Sequence, residues 1–141
     1  MNADPCFGPD LEALAEAARK AAASSYSPYS KYPVGAAILA SDGSVWTGCN
    51  VENASYGLSM CAERTALFKA VSEGRRSFRA IAVAGGTVSA PAVPCGACRQ
   101  ALAEFCQPAT PVAVVPLDGG APVVRSLGDY LPFSFEFPQN G

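Results

Sequence analysis

The chain has 141 residues, of which 50% are hydrophobic and 16% charged, with a formal net charge of -2. That length suits a single domain, 1–141, whose core needs no disulfide staples, and the charge balance excludes both a disordered chain and a polybasic nucleic-acid binder. No apolar run approaches the roughly 20 residues of a membrane helix, and Met1–Pro9 lacks the basic start and apolar stretch of a secretion signal, so the expected address is cytoplasmic and no membrane partner is expected.

In chain order, Asp10 can cap a first helix with Leu11, Leu14, Ala15, Ala18 and Ala22 on one stripe. The stretch from Ser24 to Pro33, with two prolines and three tyrosines, reads as a loop. Val34 to Ala40 and Ser44 to Cys49 flank the turn signal Ser41-Asp42-Gly43 and read as an antiparallel hairpin. The polar loop Asn50 to Gly57, taken alone, reads as turn chemistry, although its amides and carboxylate could receive a hydroxylated ligand. Ser59 can cap a second helix running from about Cys61 to Gly74.

Phe78 to Ala84 reads as a strand, Cys95 to about Cys106 as a third helix, Val112 to Pro116 and Pro122 to Arg125 as two short strands, and Leu127 to Leu131 as a helical turn started by Ser126. Helices interleaved with strands give an α/β fold, a three-layer α/β/α sandwich on a mixed sheet of about five strands. The tail Phe133-Ser134-Phe135-Glu136-Phe137 carries three rings, which call for cover from their own domain or from a neighbouring subunit.

Six cysteines and no histidine narrow the chemistry. Without His there is no Ser-His or Cys-His machinery, and carboxylates, thiolates, Lys and Tyr remain. A chain of this size without a sign of secretion points to reduced thiols. Pro94-Cys95-Gly96-Ala97-Cys98 places two sulfurs on one turn at a helix start, where the helix dipole favours thiolates. Cys61 is the natural third ligand because Glu63 lies two positions on, and three ligands leave zinc one position for water. Residues two apart inside a helix diverge by about 200°, so Cys61 and Glu63 can share a site only if the helix begins at or next to Cys61.

Three thiolates on a divalent ion leave a site charge of about -1 that must be offset, and Arg64, Arg99 and the two helix N-termini are the sources at hand. Cys49 and Cys106 read as small buried hydrophobes and Cys6 as part of a mobile N-terminus. The competing reading, a structural zinc module, would need Cys106 or Cys49 as a fourth thiolate and leaves Glu63 without a purpose.

Four blocks in order, Tyr29 to Ala36, Gly48 to Ala54, Cys61 to Ala66 and Pro94 to Gln100, make the chain resemble the small homotetrameric cytidine deaminases, whose signature pairs [HC]-A-E with P-C-x-x-C. The resemblance implies hydrolytic deamination of cytidine and 2'-deoxycytidine in pyrimidine salvage, with one Zn2+ per subunit on Cys61, Cys95 and Cys98. It further implies that Glu63 shuttles protons from water to ring N3 and to the departing amine, that Asn50 and Glu52 bind ribose hydroxyls, and that backbone around Ala62 meets the base.

Arg64 would donate to ligand sulfurs. Tyr32 stands where similar proteins stack a Phe on the pyrimidine. Tyr56 and Phe135 align with aromatics presented to a neighbouring subunit's site, so the resemblance implies a homotetramer with shared sites. A blasticidin-type aminopyrimidine nucleoside is the alternative substrate, and the Asn50-x-Glu52 pair favours an ordinary ribose. Polynucleotide editing is disfavoured by the net acidic charge.

Overall fold

The protein is described from a computed structural model covering residues 8–138. Cys6 and the rest of the extreme N-terminus lie outside the described residues. The first helix, α1, spans Pro9–Ala22. Its cap position belongs to Gly8, which makes no side-chain cap bond, and Asp10 sits instead in the first turn, where a negative charge suits the helix dipole.

Strands β1 (Val34–Ala40) and β2 (Val45–Cys49) form the expected hairpin, with Gly43 taking a φ of 91° in its turn. β3 (Phe78–Gly85) lies antiparallel to β1, β4 (Pro111–Val115) parallel to β3, and β5 (Val123–Ser126) antiparallel to β4. The sheet is therefore mixed and five-stranded, in the order β2-β1-β3-β4-β5.

Central strands read as nearly unbroken apolar runs because both faces are covered. Ala37, Leu39, Ala80, Ala82, Ala84, Ala113 and Val115 meet Leu11, Leu14, Ala15 and Ala18 of α1. On the other face Ala36, Ile38, Ile81, Val83, Val112 and Val114 meet Ala62, Ala66, Leu67 and Leu102 from α2 (Ala62–Ser72) and α3 (Gly96–Ala103). These are the three layers. Helices approach the sheet closely at glycines: a Cβ on Gly35 would lie 2.1 Å from the Ala18 carbonyl oxygen, and one on Gly48 would lie 2.5 Å from the Ala66 amide nitrogen.

Helix α2 ends where Gly74, at φ 95°, lets the Gly74 and Arg75 amides reach back to the Val71 and Ala70 carbonyls. Ser59 does not cap it. The Ser59 hydroxyl accepts from the Asn53 amide, and Cys61 holds the cap position after a short 3-10 turn at Tyr56–Leu58. Helix α3 stops at Ala103, short of the expected Cys106, because the chain must turn into β4: the Gln107 amide donates to Thr110 Oγ1 and the Thr110 amide to the Gln107 carbonyl. Cys106 thus sits in that turn rather than on a helical stripe. The last helix, α4 (Leu127–Tyr130), carries the expected Ser126 cap as a reciprocal box with Asp129. Among the described residues no helix is long and apolar enough to cross a membrane.

Candidate active site

The N-terminal ends of α2 and α3 converge. Cys61 is the cap residue of α2 (φ -74°, ψ 154°) and Cys95 that of α3 (φ -70°, ψ 168°), both extended and neither bonding its own helix through the side chain. Their sulfurs lie 3.8 Å apart, and with the buried Cys98 Sγ they form one cluster within 4.8 Å. Because Cys61 is outside the helical repeat, Glu63 on the first turn reaches the same cleft, which resolves the angular conflict. Glu63 is only 4% exposed.

Electrostatics set Cys61 and Cys98 apart. The Cys98 thiol donates to Cys61, and together with Arg64 and Cys95 this lowers Cys61 to about 5. Cys98 moves the other way, because it gives the hydrogen bond to Cys61 and is desolvated. Burial pushes the Glu63 carboxyl up to about 7; its own amide pulls it back and the Cys61 charge adds to the rise. Arg64 Nη2 donates to Cys61 Sγ at 3.4 Å, and that bond holds the guanidinium more firmly charged, while its Nε is buried without a protein partner. Arg99, the other compensating candidate, faces away: its guanidinium bonds the Pro94 and Tyr130 carbonyls.

A cleft of about 500 Å³ opens in front of the cluster, and Tyr32, Asn50, Glu52, Cys61, Ala62, Glu63 and Cys95 all line it. Asn50 and Glu52 are tied into the loop below β1. Asn50 Oδ1 accepts from the Val34 amide and from the Ser25 hydroxyl, and its Nδ2 donates to the Tyr32 carbonyl. Glu52 Oε1 accepts from the Tyr29 and Ser30 amides and Oε2 from the Ser30 hydroxyl, whose bond is the first cause of a carboxyl pKa below the usual range. By side-chain inventory this leaves one N–H on Asn50 and one lone pair on Glu52 Oε2 for a ligand.

Sequence reasoning missed Ser30 and the opposite wall, Val83 and Pro91 to Val93. The serine-rich loop held a signal for the first; nothing local marks the second. Tyr32 is a partly exposed wall of the same cleft. Tyr56 is 75% exposed, packs edge-to-face on Tyr29 at 5.9 Å, and borders a hollow of about 320 Å³ that shares Ser30 and Glu52 with the main cleft. Phe135 is 71% exposed and lines a different groove, beside Cys106, so within one chain it does not reach the cluster.

The thiol set fits zinc. A tetrahedral ion with Zn–S bonds of about 2.3 Å has sulfur–sulfur edges of about 3.8 Å, the Cys61–Cys95 spacing. Neighbouring thiols of opposed acidity, as Cys61 and Cys98 are, shed their protons together only against a cation. Among the described residues no fourth His, Cys, Asp or Glu joins the cluster. Cys49 instead donates to the Ser24 carbonyl, and Cys106, half-buried, has its thiol pushed up to about 12 by desolvation. The closed structural site therefore has no fourth ligand, and the position beyond the sulfurs faces the cleft.

A three-thiolate pocket with a buried carboxylate beside it, open to a cleft on an α/β sandwich, defines a metal-dependent hydrolase. Residues 9–114 match the family described as "Cytidine and deoxycytidylate deaminase zinc-binding region". The chain is 54% identical over 110 residues to a cytidine deaminase of Sporosarcina psychrophila, covering 78% of this chain and 80% of that one. It is 51% identical over 126 residues to that of Halalkalibacterium halodurans, covering 89% and 94%. The crystal structure of cytidine deaminase from Burkholderia pseudomallei superposes with a TM-score of 0.82 at 52% identity, over 88% of this chain and 98% of that chain. The chain belongs to the cytidine and deoxycytidylate deaminase family.

Proposed function

We propose that this chain, acting as one domain, hydrolyses cytidine and 2'-deoxycytidine to uridine and 2'-deoxyuridine with release of ammonia; the relatives it matches are named cytidine deaminases. The observation that carries it is the convergence of Cys61, Cys95 and Cys98 with Glu63 at one end of a cleft and the Asn50–Glu52 pair on its wall. Zinc held by the three cysteines would supply a water acidified to near neutrality. Glu63 takes a proton from water and delivers it to ring N3 as the oxygen adds at C4, then takes the proton of the new C4 hydroxyl and passes it to the departing amine as the carbonyl forms and the C4–N bond breaks. Its buried carboxyl, raised to about 7, suits a group that must both accept and give a proton near neutral pH. Tyr32 stacks on the base, and the backbone at Ala62 meets its polar edge.

Arg64 offsets the surplus thiolate charge. Replacing it with Gln is expected to retain zinc and lower kcat about 10–100-fold, as removal of a hydrogen bond to a ligand does elsewhere. Metal analysis beside steady-state kinetics checks this, and a wild-type kcat would remove Arg64 from the compensation.

The single donor left on Asn50 and the single acceptor left on Glu52 suit one sugar hydroxyl, which accepts from the first and donates to the second. Cytidine and 2'-deoxycytidine should therefore be turned over with kcat/KM values within about tenfold of each other. Loss of both hydroxyls, in 2',3'-dideoxycytidine, should cost a further 10- to 100-fold, roughly the worth of a hydrogen bond to a charged group. An ultraviolet assay of deamination across the three nucleosides gives the answer, and equal turnover of all three would detach Asn50 and Glu52 from the sugar.

The proposed assembly is a homotetramer in which Tyr56 and Phe135 reach neighbouring sites, supported by their exposure in the single chain. The proposed compartment is the cytoplasm, where thiols stay reduced for the metal.

A further inference from the structure

The two residues that follow the last cysteine of the cluster, Arg99 and Gln100, are both engaged by the C-terminal segment. Arg99 Nε donates to the Pro94 carbonyl at 2.7 Å and Nη1 to the Tyr130 carbonyl at 3.0 Å, with the guanidinium carbon 5.3 Å from the centre of the Tyr130 ring. Among the described residues Arg99 makes no ion pair, so its charge is met by main-chain oxygens and an aromatic face. Gln100 Nε2 donates to the Phe135 carbonyl at 2.9 Å and its Oε1 accepts from the Phe135 amide at 3.2 Å, a two-point pairing that imitates a strand neighbour.

Placement gives these bonds their meaning. The Pro94 carbonyl belongs to the peptide bond that leads into Cys95, and the Arg99 amide donates to the Cys95 carbonyl at 2.9 Å. Arg99 therefore grips the Cys95–Cys98 turn through both its main chain and its side chain. The same guanidinium reaches the end of α4, while Gln100, one residue on, holds the chain past Leu131. A turn that must present two sulfurs to a metal and a tail with three exposed rings are thus fastened to each other by adjacent side chains of one helix.

We propose that Arg99 and Gln100 are positioning residues that couple metal loading at the Cys95–Cys98 turn to docking of the C-terminal segment from Tyr130 to Phe135. The coupling rests on the zinc reading above. It is reciprocal: metal that orders the turn holds the tail, and a docked tail raises the affinity of the turn for metal by the same factor.

The test uses the full chain, zinc-loaded and then stripped with a chelator, with far-ultraviolet circular dichroism to establish that the stripped protein stays folded. Stripping should speed hydrogen exchange at the Phe135 amide by about tenfold, and Arg99→Ala and Gln100→Ala should speed zinc release to a chromogenic chelator by roughly tenfold or more. In cobalt-loaded protein the thiolate charge-transfer bands should move in Arg99→Ala and recover in part in Arg99→Lys. They should stay in place in Gly43→Ala, a strained control at the hairpin turn where nothing lies within 4 Å of the added carbon. Gln100→Ala removes only bonds to the tail and serves if Arg99→Ala does not fold. Exchange at Phe135 that ignores the metal, or unaltered zinc release in Gln100→Ala, overturns the coupling alone. A wild-type chain that takes up no zinc overturns both the coupling and the proposed function.

Discussion

Changing Glu63 to Gln is expected to lower cytidine turnover by on the order of 10²–10⁴-fold while the zinc-to-chain ratio stays at the wild-type value. The amide keeps the shape of the carboxyl in a site where only 4% of the residue is exposed, so packing is preserved. What is lost is the ability to take and return a proton. Glu63 is no member of the sulfur cluster, which is why zinc should remain. Ultraviolet loss of cytidine with parallel metal analysis reads both quantities. An unchanged rate takes the carboxylate out of the mechanism, and lost zinc would give it a part in holding the metal.

The second large effect is expected far from any reacting atom. Gly48, in β2, lies under the first turns of α2, and a Cβ there would stand 2.5 Å from the Ala66 amide nitrogen and 2.8 Å from the Ala62 carbonyl oxygen. Both obstacles are main chain, so relief requires moving the helix. Gly48→Ala should destabilise the fold by about 1–3 kcal/mol or more, as overpacking of a close-packed core does. Ala62 follows Cys61 directly, so the shift should also separate the sulfurs and lower zinc content. Gly43→Ala is the contrast: its φ of 91° makes alanine strained, but nothing lies within 4 Å of the added carbon, so zinc should be retained. Denaturant unfolding and metal analysis of the pair separate the two, and a Gly48→Ala protein with full zinc would show that α2 need not sit where it does.

The cysteine pattern was legible because ligand chemistry leaves few choices. Without histidine, a metal near Glu63 has thiolates as its ligands, and C-x-x-C at a helix start places two of them on one turn. The start of α2 could be stated in advance for the same reason, since a shared cleft for Cys61 and Glu63 demands a helix that begins at or next to Cys61. The hairpin, the strand count and the layers followed from apolar runs bounded by helices and turns, whereas the order β2-β1-β3-β4-β5 came only from the fold.

Other features were not local. Ser59 has the chemistry of a cap and sits two residues before Cys61, but its hydroxyl is taken by the Asn53 amide, a competition visible only once the loop is folded. Arg64 and Arg99 look equally fit to compensate thiolates in the sequence; one points at Cys61 and the other at Pro94 and Tyr130, because they leave their helices at different angles to the cluster. The Asn50–Glu52 loop read by itself as turn chemistry, and only the family resemblance assigned it to a ligand. The loop is held by bonds to Ser25, Ser30, Val34 and Tyr32, and both Asn50 and Glu52 line the cleft.

By itself, then, the sequence determined which atoms can hold a metal and move a proton, since those depend on residue type and on spacing along one turn. Only the tertiary structure decided that Cys61 comes within 3.8 Å of Cys95, which of two arginines serves the sulfurs, and that Gln100 holds the tail at Phe135. Those contacts join segments distant in the chain, and on the Cys61 side the close approach of α2 to the sheet depends on the missing side chain of Gly48.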